Sequence, residues 1–189
     1  MIQQEISDLK KTLDNLIEDQ KKIIEIIDLL LLCLKKNKKI LICGNGGSAA
    51  EAEHLSAEFL VRLKPANNRQ ALPIISLTQN SPVITACGND LGFENIFSRA
   101  LEGIGNNGDI LICLSTSGNS QNILNVLTSA KNRGIKSIAF LGCNGGKAIS
   151  LSDISLIIKS EDVARIQECH LFLGHHILGQ VEAKLISKK

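Results

Sequence analysis

The chain of 189 residues is 44% hydrophobic and 21% charged and carries a net charge of +2, the balance of one ordinary globular domain with a single substantial core. That charge indicates no acidic partner. With no Trp or Tyr, only five Phe and no clustered basic footprint, a nucleic-acid partner is not expected.

The first 36 residues contain no Gly or Pro and read as a helix. Apolar residues recur at Ile2, Ile6, Leu9, Leu13, Leu16, Ile23, Ile27, Leu30 and Leu34, with Gln20 as the polar member of the seam. This is a heptad stripe. Helices of globular domains average about three turns, so the stripe predicts packing on copies in other subunits in preference to its own domain. The opening "MIQQEISDLKKTLDN" is amphipathic and charged, unlike a signal peptide. "IIEIIDLLLLCL" is too short to span a bilayer and contains Glu25 and Asp28, so no membrane partner is expected.

From Lys39 the pattern changes. "KILICGNGGSAAEAEHLSAEFLVRL" reads as strand, glycine-rich turn and helix, and "DILICLSTSGNSQNILNVLTSAKNRG" repeats that order with the same "ILIC". Between them lie the strand "ALPIISLT" and the mostly helical "NSPVITACGNDLGFENIFSRALEGI". "KSIAFLGCNGGKAIS" is a third strand–turn–helix instance, "ISLIIKS" a last strand, and Ala164 to Ser187 a C-terminal helix. Short apolar strands alternating with helices imply parallel βαβ units in a doubly wound α/β/α sandwich. The division expected is residues 1–36 as an oligomerisation helix packed as part of one domain, and 37–189 as the sandwich. Cys33, Cys43, Cys87, Cys113, Cys143 and Cys169 form no CxxC pair and read as buried free thiols of a reducing compartment, hence a cytoplasmic protein.

"STSGNS", Ser115 to Ser120, leaves an apolar strand and enters a helix with five hydroxyl or amide side chains in six residues. A helix N-terminus favours an anion, and capping would use one hydroxyl and leave the others idle. The loop is therefore read as a phosphate site. "GNGGSA" lacks the final glycine of GxGxxG, and no GK[ST] follows a glycine cluster, so a phosphorylated small molecule fits better than a dinucleotide. It belongs beyond the carboxyl ends of the strands, near "CGNGGS" and "STSGNS" together.

His54 and Glu58 share a helix face. By spacing alone they are an acid–base pair, two metal ligands or a surface ion pair. "RIQECHLFLGHHILGQ" adds Gln167, His170, His175 and His176, and helical periodicity does not choose among them.

Together "CGNGGS", "EHLSAE", "CGNDLGF", "LSTSGNSQN" and "RIQECHLFLGHHI" resemble the bacterial phosphoheptose isomerases, within the sugar-isomerase (SIS) fold. The resemblance implies conversion of sedoheptulose 7-phosphate to D-glycero-D-manno-heptose 7-phosphate through an enediol, the first step toward ADP- or GDP-heptose precursors. It implies phosphate binding by Ser115, Thr116, Ser117 and Ser120. It implies sugar binding by Asn45, Gly46, Gly47, Ser48, Glu58, Asn89, Asp90 and Gln167, with Arg62 nearby. One zinc ion per subunit on His54, Glu58, Gln167 and His175 is implied, with Glu58 as base and His175 as acid. A homotetramer whose subunits complete each other's sites is implied as well. The rival reading is a non-catalytic SIS-fold sugar-phosphate sensor or replication-initiator adaptor, which would not need those four residues together. Another isomerase of the fold, acting on a pentose phosphate, would not be expected to carry "RIQECH" at this spacing.

Overall fold

The computed structural model describes residues 1–187. The N-terminal segment is α1 (Ile2–Asp14), a 3-10 turn (Asn15–Asp19) and α2 (Gln20–Lys35). The helix read from the sequence is therefore interrupted where Asp14, Asn15 and Asp19, weak helix formers, cluster. Asn37, with φ 55°, ends the segment in the left-handed region that helix C-termini commonly adopt.

The sheet holds β1 (Ile40–Gly44), β2 (Ile74–Ser76), β3 (Ile110–Ser115), β4 (Lys136–Gly142) and β5 (Ile154–Ile158), all parallel, in the order β2-β1-β3-β4-β5. This is the doubly wound sandwich expected. The two "ILIC" copies lie side by side in register, Ile40 opposite Ile110 through Cys43 opposite Cys113. Alternation along them feeds two cores. Ile40, Ile42, Ile110, Ile112 and Leu114 pack with α2, α3 (Gly47–Leu60) and α7 (Val163–Ile186). Leu41, Cys43, Leu111 and Cys113 pack with α5 (Ile96–Ile104) and α6 (Gln121–Asn132).

The segment before α5 is α4 (Ser81–Asp90) and a 3-10 turn (Phe93–Asn95). The Asn80 side chain caps α4 by accepting from the Val83 N–H at 3.2 Å, and Asp162 caps α7 by accepting from the Ala164 N–H at 2.8 Å. The third expected strand–turn–helix falls short: after β4 the chain makes only the 3-10 turn Lys147–Ser150.

The heptad stripe divides differently from its reading. Leu16, Ile23, Ile27, Leu30 and Leu34 are buried in the chain's own core, because the 24-residue α7 supplies a partner helix within the same chain. Ile2 and Ile6 are exposed. Five of the six cysteines are buried free thiols as read, whereas Cys143 is exposed: it sits with φ 52° in the loop after β4. No helix among the described residues is long and apolar enough to cross a membrane.

Strand order reverses between β1 and β3. The chain leaves β1 for α3 on one face and β3 for α6 on the other, so the two loops part and open a crevice.

Candidate active site

The loop after β1 enters α3 through Gly46 (φ 54°), and Asn45 is locked across the crevice. Asn45 Nδ2 donates to Asn122 Oδ1 at 2.9 Å, and Asn122 Nδ2 donates back to Asn45 Oδ1 at 2.8 Å. Asn122, buried at the start of α6, carried no special signal in the sequence. Only the pairing across 77 residues shows that it orients Asn45. Asn45, Phe93, Glu94, Ser120, Gln121 and Asn122 line a cavity of about 470 Å³ here.

The loop after β3 builds its own turn. Ser115 Oγ accepts from the Gly118 N–H at 3.1 Å and Ser117 Oγ from the Asn119 N–H at 3.2 Å, bonds that leave each hydroxyl proton unused. Ser120 is the N-cap of α6 but makes no capping bond with its side chain, so capping does not explain that hydroxyl. Gly118 (φ 63°) has no alternative, since a Cβ there would overlap the Gly145 carbonyl oxygen. Asn119 Oδ1 accepts from the Lys147 N–H at 3.1 Å, tying the two loops together.

Helices α3 and α7 approach through glycine. A Cβ on Gly174 would stand 2.5 Å from Leu55 Cδ1, and one on Gly47 would overlap the Gln167 amide. That approach brings His54, Glu58 and His175 together. His54 Nε2 lies 3.3 Å from Glu58 Oε1, His175 Nε2 lies 3.2 Å from Glu58 Oε2, and the two Nε2 atoms are 3.1 Å apart. Ligand atoms on a tetrahedral zinc, at about 2.0–2.1 Å from the metal, are about 3.3 Å from one another. Two imidazoles and a carboxylate converging at those separations fit a divalent cation. Glu58 is one quarter exposed and the two imidazoles more so, so the group is open to a ligand.

Gln167 stands half-buried opposite Gly47, at the opening of α3. The choice left open on α7 is made by rotation about its axis. His170 is buried against Phe140. Burial pushes it down to about 4, with a Leu141 backbone contact partly opposing. His176 stacks on Phe172 at the surface. Asn89 and Asp90 bond to each other at 2.7 Å at the exposed end of α4 and are not among the cavity-lining residues.

Glu51 escaped the sequence reading altogether. It lies on α3 between the glycine loop and Glu58, seven residues before Glu58 and so on the same face. Its Oε2 is buried without a partner. Burial pushes its carboxyl up to about 7, against the lowering effect of the Ser48 hydroxyl.

The SIS domain family model matches residues 6–142. The phosphoheptose isomerase of Clostridium acetobutylicum is 45% identical over 164 residues, 87% of this chain and 83% of that protein. That of Nitratiruptor sp. is 40% identical over 184 residues, 96% of each. Among solved structures, a phosphoheptose isomerase from Francisella tularensis superposes with a TM-score of 0.87 at 32% identity, covering 96% of this chain and 98% of that one. The phosphoheptose isomerase from Neisseria gonorrhoeae gives 0.82 at 32% identity, over 97% and 100%.

Proposed function

This chain belongs to the SIS-domain family and, within it, to the phosphoheptose isomerases, and on that premise we propose how its residues convert sedoheptulose 7-phosphate to D-glycero-D-manno-heptose 7-phosphate. The reaction is an aldose–ketose isomerisation that opens the synthesis of ADP- or GDP-heptose precursors.

Ser115, Thr116, Ser117 and Ser120, with the free N–H groups that open α6, take the phosphate. Asn45, Gly46, Gly47, Ser48, Asn89, Asp90 and Gln167 hold the sugar chain. Binding the phosphate at one end of the substrate orients the carbonyl at the other. Glu58 takes the C1 proton to give the enediol, and the proton returns at C2. His175, against the other Glu58 oxygen, moves protons between the C1 and C2 oxygens. A zinc ion held by His54, Glu58, Gln167 and His175, one per subunit, would polarise the carbonyl as a Lewis acid.

We place the protein in the cytoplasm as a homotetramer with sites shared between subunits. Ile17, Ile24 and Phe172 support the assembly: they are exposed along a largely apolar groove between α2 and α7. Light scattering of the purified protein tests the tetramer.

The observation that carries the catalytic reading is the convergence of His54, Glu58 and His175 in a chain whose relatives are named phosphoheptose isomerases. The test is a coupled turnover assay on sedoheptulose 7-phosphate, with added zinc and after chelation, beside Glu58→Gln and His175→Ala. The expected result is turnover that either substitution abolishes and chelation removes. A folded wild-type protein that binds the sugar phosphate yet never turns it over would overturn the catalytic reading.

A further inference from the structure

Glu182 is a fully buried carboxylate near the end of α7, outside the site described above. It accepts from Arg69 Nε at 2.5 Å, Asn67 Nδ2 at 2.6 Å and the Leu63 N–H at 3.4 Å, all from the loop that follows α3. The Arg69 side chain is only 6% exposed and lies over the Phe59 ring, 5.6 Å from its centroid. Of its other nitrogens, Nη2 turns back onto α3 and donates to the Glu58 carbonyl at 3.2 Å, while Nη1 donates to the Gln70 carbonyl of the loop itself at 3.0 Å.

The Glu58 carbonyl is one of the last four of α3, which have no partner within their own helix, and a cation suits that end of the dipole. Glu58 is thus held from two sides. Its carboxylate meets His54 and His175, and its carbonyl meets Arg69. Arg69 in turn is fixed to Glu182, two turns beyond His175 on the same face of α7. One guanidinium therefore joins the backbone of the residue that supplies the carboxylate to the helix that supplies the second imidazole.

An ion pair at this depth is weak evidence of stabilisation, since apolar replacements of similar volume commonly serve as well. What apolar side chains cannot do is fix two helix ends through directional bonds to a carbonyl and a carboxylate. We propose that Arg69 and Glu182 are positioning residues that set the spacing between Glu58 and His175, and through it the affinity of the site for its divalent cation. The proposal rests on the metal reading given under Proposed function. Arg69 and Glu182 touch neither substrate nor metal and act through Glu58 and His175.

The test is equilibrium zinc affinity of the purified chain, by competition with a chromophoric chelator, for wild type, Glu182→Gln, Arg69→Lys and Asn67→Ala. Val126→Ala, in the core on the other face of the sheet, serves as a control for general loss of stability. Partners behind metal ligands are typically worth about 10–100-fold in affinity. Glu182→Gln and Arg69→Lys should each weaken zinc binding about tenfold or more, with kcat lowered and the KM for the sugar phosphate within about twofold. Val126→Ala should leave zinc affinity unchanged. If the two clamp variants do not fold, Asn67→Ala, which deletes a single donor, carries the test with an expected loss of more than about twofold. Unchanged affinity in the folded clamp variants, or an equal loss in Val126→Ala, overturns the proposal while leaving the metal reading intact. A wild-type chain that takes up no zinc overturns the metal reading and this proposal with it.

Discussion

The Nε2 atoms of His54 and His175, 121 positions apart in the chain, stand 3.1 Å from each other, and Glu58 offers one carboxylate oxygen to each ring. Removing one ring takes away one of the three converging groups, and one of the four proposed ligands, so the remaining set no longer closes around a cation. His175→Ala should lower zinc affinity by more than the roughly 10–100-fold that outer partners contribute, as read by calorimetry. Zinc uptake equal to wild type would place the metal elsewhere.

Two glycines next to the site should respond in opposite ways to a methyl group. At Gly47 the added carbon meets the Gln167 amide, the mobile end of a flexible side chain, which moves aside. Gly47→Ala should keep its urea midpoint but lose turnover, because Gln167 is displaced.

At Gly118 the obstacle is the Gly145 backbone, and the residue sits at φ 63°. Neither can relax easily. Gly118→Ala should lose about 1–3 kcal/mol of stability and raise the KM for the sugar phosphate. An unchanged urea midpoint and KM would show that the phosphate loop does not need this turn.

The reciprocal amide pair of Asn45 and Asn122 makes a non-additive prediction. Either alanine substitution strands the other amide, and where the one left is the buried Asn122 the unsatisfied group costs about 1–3 kcal/mol. The double variant should be little worse in kcat/KM than either single one. Strict additivity in the double-mutant cycle would mean that the two side chains act independently.

Glu51 and His170 set opposing pH dependences of stability. Glu51 is raised from 4.5 to about 7 in the folded chain, by burial over the opposing Ser48 bond. Across that window the folded state holds the extra proton, so stability falls as pH rises. His170 is lowered from 6.5 to about 4, by burial over the opposing Leu141 contact. There the unfolded state holds the extra proton, so stability rises with pH. Glu51→Gln removes the first and should leave urea midpoints that climb from about pH 4 to pH 6.5. A variant with the same pH slope as wild type would show that Glu51 ionises freely.

The sequence by itself determined the layers and the loops. The paired "ILIC" runs could only be buried parallel strands, and they lie in register. The hydroxyl-rich "STSGNS" fell at a helix N-terminus because strand periodicity ends and helix periodicity begins around it. Both are local signals, written in residues that neighbour one another.

What only the tertiary structure decided is everything that depends on two helices facing each other. The heptad stripe looked outward until α7 provided an internal partner for Leu16 through Leu34. Helical spacing did not separate His170 from His175, since both fall on apolar stretches of α7. The close approach of α3 at Gly47 and Gly174 brought His175 to Glu58, while His170 turned onto the sheet and was buried against Phe140. Asn122, Glu51 and the Arg69–Glu182 clamp were equally invisible, because an amide or a carboxylate in a polar run looks solvated until burial gives it a partner or denies it one.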